Sequence, residues 1–383
     1  MTIAYILADP GFGVFGSKGA SVHVQEVIRA ARALGHTVEV FAVRTDQLIP
    51  ADLTDLPVTR VKVAKTPDTA ERERAIRAAA DELAQQVIAR DDITAVYERY
   101  SLFSTAGSQA AAALNVPFIL EVNAPLVDEQ KTHRSLVDEA GAVQATRIQL
   151  EAATVISAVS QPVGDWAVTA GGDPRRLFVR ANGVNTDRIR PRQHRADSPG
   201  PVTVGFVGTL KPWHGTEILL EAFARAEGNL RLTIAGTGPE QTALQERAAA
   251  LGIAERTRFL GAIAPAEIPQ ILRGFDIATA PYPQAGIYFS PLKVYEYMAA
   301  GLPTIASVAG ELPELLTPQG EAPAGLLVRP GDVQQLTAAI ERLAADVDLR
   351  DRMGGAARER VLTEHTWLAL VTDLFDQAGV TAP

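Results

Sequence analysis

Short apolar runs alternate with amphipathic runs along this chain, and this alternation constrains the fold more than any other feature. In the first half, segments with apolar residues at helical spacing, such as 21–34 and 71–89, separate the apolar runs. Buried strands that alternate with helices are typical of an α/β protein with a parallel, doubly wound sheet. The sequence predicts strands at residues 2–8, 37–43, 95–100, 117–122, 154–159 and 177–182.

The alternation stops at residues 188–201, which are rich in Pro, Arg and Gly and lack periodicity, and then it begins again. We interpret this stretch as a linker between two α/β domains, since 383 residues are too many for one ordinary core. Ligands of such sheets bind beyond the carboxyl ends of strands, so we expect a site in a cleft between the domains. The second set of predicted strands comprises residues 202–208, 231–236, 256–261, 276–282, 303–308 and 325–330.

Charge and composition exclude several classes of protein. The net charge of −9 argues against a nucleic-acid partner. The absence of cysteine excludes disulfides and thiol nucleophiles and fits a cytoplasmic protein. No apolar run is long enough for a transmembrane segment, and residues 1–10 have the pattern of a strand rather than of a signal peptide. The arginines of residues 175–195 allow peripheral contact with a membrane surface, although solubility explains them more simply.

A glycine-rich loop follows the first predicted strand. Gly11, Gly13 and Gly16 have the spacing of a dinucleotide-binding motif, but helical spacing begins only near residue 20, too late for that motif. The loop is therefore either flexible or a site for an anion at its end. In the second case the amides of the helix N-terminus around Gly19, together with Lys18, would attract the negative charge.

Three strand-to-helix junctions in the second half carry candidate binding residues. The first contains Lys211 and His214, and the second has the sequence AGTGPE at residues 235–240. In the third, Ser290 is a plausible N-cap, Pro291 suits the first helical position, and Lys293 and Glu296 follow one turn apart. A surface Lys–Glu pair is the simpler interpretation of the last two residues. Three such junctions in order on one sheet favour a site in which Glu296 accepts ribose hydroxyls and lysines hold a diphosphate.

Several of these segments resemble those of one enzyme family. The segments are NGVNTDRIRP, VGTLKPWHG, IAGTGPE, FLG and YEYMAAGLPTIAS, at residues 182–191, 207–215, 234–240, 259–261 and 295–307. In this order they are similar to motifs of the retaining glycosyltransferases of family 4, in the subset with the SPLK-x-x-EYMAAG motif. The resemblance implies the GT-B fold, with two Rossmann-like domains at residues 1–190 and 198–362 that face each other across a cleft. It also implies a C-terminal helix, residues 363–383, that returns to the N-terminal domain.

The resemblance implies roles for individual residues. Glu296 corresponds to a glutamate that binds the nucleotide ribose, and Gly19 to a loop glycine near the donor phosphate or the acceptor. Thr209 and His214 stand where the family has an Arg and a Lys on the diphosphate, a departure that Lys211 can offset. Tyr288 replaces a glutamate that contacts the donor sugar, and Asn123 replaces a histidine near the reacting carbon. The remaining residues expected at the nucleotide are Lys18, Gly208, Gly236, Gly238, Leu260, Ser290, Pro291 and Leu292.

The predicted activity is transfer of a sugar from a nucleotide-diphosphate sugar to a small-molecule, glycan or natural-product acceptor, with retention of configuration. Lys211 and Lys293 would stabilise charge on the leaving diphosphate, and Asn123 would act beside the sugar. Neither a metal ion nor another cofactor is expected, since the six histidines are scattered. Two alternatives remain open: a nucleotide-sugar-binding protein without turnover, and a GT-B epimerase.

Overall fold

The computed structural model describes residues 1–16, 18–192, 200–286 and 290–380, apart from the side chain of His133. The chain forms two compact units. The first contains the described residues of Met1–Asn182 and Trp367–Pro383, together with Ser290. The second contains the described residues of Gly183–Ile287 and Pro291–Thr366.

The first unit is built on a seven-stranded, fully parallel sheet. Its order is β3-β2-β1-β4-β5-β6-β7, so the strand order reverses direction between β1 and β4. Six strands agree with the sequence prediction to within a few residues, whereas β3 was missed because it is a half-exposed edge strand of three residues. The strands are β1 Thr2–Leu7, β2 Thr37–Ala42, β3 Val58–Arg60, β4 Ile93–Arg99, β5 Phe118–Val122, β6 Val155–Ala158 and β7 Leu177–Val179.

Helices pack on this sheet and bury a core of aliphatic and aromatic side chains. Three of them begin at residues whose side chains accept a backbone N–H bond, namely Asp68, Asp138 and Ser160. The helices are α1 Gly19–Ala33, α2 Thr69–Ile88, α3 Ala106–Leu114, α4 Leu126–His133, α5 Glu139–Ala152 and α6 Gln161–Thr169.

The second unit contains a six-stranded parallel sheet in the order β10-β9-β8-β11-β12-β13, which reverses direction between β8 and β11. Its strands are β8 Val202–Val207, β9 Leu230–Ala235, β10 Thr257–Gly261, β11 Ile277–Ala280, β12 Thr304–Ser307 and β13 Gly325–Val328. Its helices are α7 Thr216–Arg225, α8 Gln241–Ala250, α9 Ile268–Arg273, α10 Leu292–Ala299, α11 Leu312–Leu316, α12 Val333–Ala345 and α13 Val347–Glu364. Because the carboxyl ends of parallel strands lie on one edge, the reversal point opens a place for a ligand there.

The last helix, α14 (Trp367–Ala378), belongs to the first unit and packs against α1. The Trp367 ring meets the His23 ring edge-on with 4.6 Å between centroids, and Phe375 meets His36 in the same way at 5.2 Å. No helix within the described residues combines the length and the hydropathy that crossing a bilayer requires.

The unit boundaries differ from the predicted ones at two places. Residues 183–190 belong to the second unit, because the guanidinium of Arg358 donates to the carbonyl oxygens of Thr186 and Ile189. The returning segment starts at Trp367 instead of residue 363, since α13 continues to Glu364. Residues 193–199 of the predicted linker lie outside the described residues.

Candidate functional site

Two glycine-containing loops pack against each other at the carboxyl ends of β8 and β9. The amide of Gly208 donates to the carbonyl oxygen of Ala235 at 2.9 Å, and the amide of Leu210 donates to that of Thr237 at 3.0 Å. A Cβ atom at Gly236 would lie 1.9 Å from the carbonyl oxygen of Gly208, and one at Gly238 would lie 2.2 Å from that of Leu210. Glycine is required at both positions because the two backbones approach so closely. The structure thus brings three of the predicted glycines together.

Lys293, in the first turn of α10, points into this corner of the second unit. Its Nζ lies 4.3 Å from the ring centre of Phe206 and 5.5 Å from that of Tyr282. A Cβ at Gly208 would lie 2.9 Å from the same Nζ. The residue as a whole is only partly buried, but its Nζ is inaccessible and has no hydrogen-bond partner within the described residues. An ammonium group buried without a partner is costly, and a bound anion would relieve that cost.

Burial also governs the charge of Lys293. Desolvation lowers the pKa of its ammonium group to about 7, and the nearby carboxylate of Glu296 opposes this change only in part. The two rings of Phe206 and Tyr282 stabilise the charged form through their faces. The amine therefore loses its proton far more readily than an exposed lysine, and a negative group that arrives beside it favours the protonated form.

His214, at the position where the resemblance implies a lysine, is uncharged. Its Nδ1 is hydrogen-bonded to the carbonyl oxygen of Thr209, which can only accept, so the hydrogen resides on Nδ1. Burial and the charges of Lys293 and Lys211 lower the pKa of the imidazole to about 4. The ring is therefore neutral at pH 7 and supplies no positive charge in the ligand-free protein. The centre of its ring lies 6.2 Å from that of Phe206 and 6.3 Å from that of Tyr282.

Lys211 lies in the same loop as His214, between β8 and α7. Its Nζ is 4.9 Å from the ring centre of Trp213, which is itself 52% exposed. The loop ends at Gly215, where φ is +66° and a Cβ would lie 1.8 Å from the carbonyl oxygen of Pro281. This contact joins the loop after β8 to the segment after β11. The contact fixes the loop that carries Lys211, which is itself partly buried.

Glu296 follows Lys293 by one helical turn and faces a cation that was not predicted. Arg188 Nη2 lies 3.7 Å from Glu296 Oε1, and Arg188 Nη1 donates to the carbonyl oxygen of Pro265. The carboxylate is thus held in place by a neighbour from the same unit. Arg188 lies within the quoted segment 182–191, so the sequence contained a signal for it, although the stretch was interpreted as a linker.

The start of α10 differs from the prediction. Helix α10 begins at Leu292 with Pro291 as its N-cap, so Ser290 is not the cap and Pro291 is not the first helical residue. The hydroxyl of Ser290 instead accepts a hydrogen bond from the amide of Asn182 at 3.1 Å, within the first unit. That distant contact holds Ser290 outside the helix, which no local pattern reveals.

The remaining predicted residues are spread over both units. Leu260 is half-buried in β10, Thr209 is exposed, and Tyr288 lies outside the described residues. In the first unit, Gly19 is the first residue of α1, and Lys18 Nζ donates to the carbonyl oxygen of Gly11 at 2.9 Å.

The glycine-rich loop of residues 11–16 is tied down rather than free. The amide of Phe15 donates to the carbonyl oxygen of Thr45 at 2.7 Å, and the amide of Gly13 donates to the Asp46 carboxylate at 3.1 Å. The side-chain amide of Gln25 donates to the carbonyl oxygen of Val14 at 2.9 Å. These bonds give the loop a defined shape at the carboxyl edge of β1, so the interpretation of a flexible loop is wrong.

A buried polar cluster that the sequence prediction missed surrounds Glu121 in β5. His23 Nε2 lies 2.9 Å from Glu121 Oε2, and Arg99 Nη1 lies 2.6 Å from Oε1. The Tyr97 hydroxyl also donates to Oε2, and the Asn123 side-chain amide donates to Oε1. Burial alone would raise the pKa of Glu121, but His23, Arg99 and Tyr97 outweigh it and hold the pKa well below its usual range. The available signal was a glutamate inside the apolar run PFILEV.

The described part of the chain contains no cluster of three or more His, Asp or Glu side chains arranged to hold a metal ion. Each unit has its own electrostatic feature: a buried ammonium group in the second unit, and a fully paired carboxylate in the first.

The two halves of the chain match two related family models. One, described as Glycosyl transferases group 1, matches residues 201–346, and another, described as Glycosyltransferase Family 4, matches residues 17–188. The MMP alpha-(1->4)-mannosyltransferase of Mycolicibacterium hassiacum is 32% identical over 224 residues, or 57% of this chain and 51% of that protein. A GDP-mannose-dependent alpha-(1-6)-phosphatidylinositol monomannoside mannosyltransferase of Mycobacterium tuberculosis is 29% identical over 58% of this chain and 60% of its own length. The chain thus spans little more than half of these curated relatives.

Solved structures match over a greater length. Anabaena Alr3699/HepE in complex with UDP superposes with a TM-score of 0.74 at 19% sequence identity, over 100% of both chains. A second structure of the same protein, in complex with UDP-glucose, gives a TM-score of 0.73. At this level of identity the likeness shows a common fold.

Proposed function

We propose that this chain is a family 4, group 1 glycosyltransferase, because its two halves match the models of those two families and its fold is that of GT-B enzymes. It would transfer a sugar from a nucleoside-diphosphate sugar to an acceptor hydroxyl, with retention at the anomeric carbon. The acceptor class is a small molecule, a glycan or a natural product. The second unit holds the nucleoside diphosphate at the carboxyl ends of β8 and β9, where the two glycine loops meet.

One observation carries this proposal: the Nζ of Lys293 is buried without a hydrogen-bond partner within the described residues. A diphosphate oxygen supplies the missing partner and the missing charge at once. Because Gly208 has no side chain, there is room directly beside this nitrogen; a Cβ atom at position 208 would contact the Nζ of Lys293. Lys211, in the loop between β8 and α7, adds a second positive charge.

The proposed chemistry depends on charge that moves to the leaving group. As the bond between the anomeric carbon and the diphosphate oxygen breaks, negative charge grows on the diphosphate and positive charge on the sugar ring. Lys293 and Lys211 stabilise the leaving diphosphate, which is worth most in a site shielded from water. Glu296 accepts hydrogen bonds from the ribose hydroxyls while Arg188 holds its carboxylate. The acceptor hydroxyl then attacks the same face of the sugar that the diphosphate leaves, and its proton passes to the departing diphosphate oxygen.

Glu121 is not the nucleophile of a covalent mechanism. A carboxylate offers about four lone-pair positions, and His23, Tyr97, Arg99 and Asn123 occupy two on each oxygen. Its low pKa reflects the same stabilisation, which makes it a weak base and a weak nucleophile. We therefore propose transfer without a glycosyl-enzyme intermediate on this residue and without a resident metal ion.

The test compares ligands that differ only in the diphosphate. We expect UDP or GDP, but not uridine or guanosine, to raise the melting temperature of the wild-type protein, because a ligand of the folded state stabilises it. Lys293→Ala should remove this effect, whereas Lys65→Ala, at an exposed lysine, should retain it. UDP-glucose and GDP-mannose are then assayed for transfer and for slow hydrolysis. Failure of every nucleotide to bind, or equal binding to Lys293→Ala and wild type, would overturn the proposal.

A further inference from the structure

His214 replaces the lysine that the resemblance implies at this position, and its ring is fixed in one tautomer. Its Nδ1 is hydrogen-bonded to the carbonyl oxygen of Thr209, which can only accept, so the hydrogen lies on Nδ1. The lone pair of the neutral ring is therefore on Nε2. Within the described part of the chain no residue is hydrogen-bonded to Nε2, and the side chain is only half-buried, so a ligand can reach this nitrogen.

The imidazole of His214 and the ammonium group of Lys293 border the same two aromatic rings. The centre of the imidazole lies 6.2 Å from that of the Phe206 ring and 6.3 Å from that of the Tyr282 ring. The Nζ of Lys293 lies 4.3 Å and 5.5 Å from the same two ring centres. All four residues belong to the second unit. A diphosphate bound at Lys293, as proposed above, would therefore lie beside the imidazole.

The surroundings of His214 oppose its protonation in the ligand-free protein. Burial, with the positive charges of Lys293 on α10 and of Lys211 in the same loop, lowers the pKa of the imidazole to about 4. Tyr282 is the titratable side chain among the neighbouring rings, and burial raises its pKa, so its phenol is neutral. A neutral Nε2 repels phosphate oxygens because both carry lone pairs. Protonation makes Nε2 a donor, and a negative phosphate favours that form.

We infer that Nε2 of His214 is the final acceptor of the proton released in the transfer, and that the imidazolium so formed binds the terminal phosphate of the nucleoside diphosphate product. The O–H bond of the acceptor breaks and its oxygen bonds to the anomeric carbon, while the bond from that carbon to the diphosphate breaks and leaves its electron pair on the diphosphate. The proton passes to the departing diphosphate oxygen and from there to Nε2, and Nδ1 keeps its hydrogen bond to Thr209. This inference rests on the proposed function, since it names a further residue of the diphosphate site.

Nitrogen-15 NMR of the histidine rings tests the inference, because it distinguishes a neutral ring with its hydrogen on Nδ1 from an imidazolium. His214→Asn identifies the signal, or His214→Gln if the first variant does not fold, and His36 of the first unit is the internal control. At pH 6.5 the ligand-free protein should show the neutral ring. Saturation with whichever of UDP and GDP binds should raise the imidazolium fraction about tenfold or more, since an adjacent negative charge raises the midpoint of protonation above about pH 4.

The donor and the product should differ in the same experiment. In UDP-glucose or GDP-mannose the terminal phosphate is esterified with the sugar and carries one negative charge fewer, so it should raise the imidazolium fraction less than UDP or GDP does. A ring that stays neutral in the product complex would overturn the inference alone, and so would equal responses to donor and product. A wild-type protein that binds neither UDP nor GDP would overturn the proposed function, and the inference with it.

Calorimetry gives a second readout that a merely structural role would not affect. The amide of Asn can donate to Thr209 as Nδ1 does, but His214→Asn has no titratable nitrogen in place of Nε2. At pH 6 its Kd for UDP or GDP should be about three- to tenfold that of wild type, the factor that proton uptake contributes. At pH 8.5 the two values should agree within about twofold, because the wild-type ring is then neutral in the complex as well. The titration of Lys293 and of the nucleotide is common to both proteins and cancels in the ratio. A ratio that does not change with pH would overturn the inference.

Discussion

Under the proposed function, the buried Lys293 links diphosphate binding to pH. Desolvation lowers the pKa of Lys293 to about 7, so the ligand-free protein carries a partial charge at the place where the diphosphate is proposed to bind. A bound phosphate favours the charged form and raises the pKa again. Binding therefore takes up a proton whenever the pH exceeds about 7.

The first prediction is that UDP or GDP binds more weakly as the pH rises from 7 to 9. Above the pKa of about 7 of the free amine, Kd should increase up to tenfold per pH unit. Calorimetry in buffers of different ionisation enthalpy should detect proton uptake on binding. Lys293→Arg keeps its charge at every pH and should bind with little pH dependence, whereas Lys211→Arg should behave like wild type. A wild-type Kd that is constant from pH 6 to pH 9 would refute the proton uptake.

The second prediction is that Lys293→Met stabilises the protein and abolishes diphosphate binding. Replacement of a buried, unpaired charge by an apolar side chain should raise the free energy of unfolding by about 1–4 kcal/mol near pH 6. In wild type the folded state releases its proton above pH 7 and the unfolded state only near pH 10.5. The unfolded state thus binds more protons in this window, so wild-type stability rises with pH and the advantage of Lys293→Met shrinks. Thermal melts at pH 6 and pH 9 check both points, with Lys65→Met as the exposed control.

At the scale of the element, helix α10 carries Lys293 and Glu296, and its position depends on how closely α13 approaches. A Cβ at Gly354 of α13 would lie 2.2 Å from the carbonyl oxygen of Gly301, just after α10. The next residue, Gly355, has nothing within 4 Å of the same added atom. Backbone packing therefore requires a glycine at position 354 but not at position 355 of the same helix.

The third prediction uses this pair. Gly354→Ala should lower the free energy of unfolding by about 1–3 kcal/mol, because backbone atoms must move apart. It should also weaken UDP or GDP binding through displacement of α10. Gly355→Ala should stabilise the protein by about 0.5–1 kcal/mol, since alanine is the better helix former, and leave binding unchanged. Chemical denaturation and calorimetry measure the two effects. Equal responses of the two variants would argue against the close contact between α10 and α13.

At the scale of the whole molecule, the last helix, α14, packs against the first helix, α1. Trp367 is 6% exposed and packs on His23, the same side chain that donates to Glu121. The last helix is therefore part of the core of the first unit and lies next to its polar cluster, although it follows the second unit in sequence.

The fourth prediction is that Trp367→Ala destabilises the first unit selectively. Loss of a buried indole should cost about 3–5 kcal/mol, and hydrogen exchange should accelerate in residues 1–182. Exchange in residues 202–286 should remain as in wild type. Leu368→Ala, at a residue of the same helix that is 47% exposed, is the matched control and should change neither region. Uniform acceleration along the chain would contradict a separate core for the first unit.

Hydrophobic periodicity and the chemistry of local segments were enough to predict most of the fold. The strands of both sheets were predictable because buried parallel strands are apolar runs between helices, and this signal needs no knowledge of distant contacts. The segments with Gly208, Gly236 and Gly238 were predictable for a similar reason, since glycine at the end of a strand marks a tight backbone approach. Lys293 and Glu296 could be proposed as site residues because a helix start and one-turn spacing are local features.

Tertiary contacts decided the rest. Ser290 is held by the amide of Asn182, so α10 begins at Leu292, and Arg358 draws residues 183–190 into the second unit. The charge states of Lys293 and His214 follow from burial among rings and neighbouring cations that are distant in sequence. The four donors of Glu121 come from α1, from β4 and from the residue that follows β5, and they meet only when the sheet forms. Desolvation and hydrogen-bond geometry depend on neighbours in space, and a short stretch of sequence does not identify those neighbours.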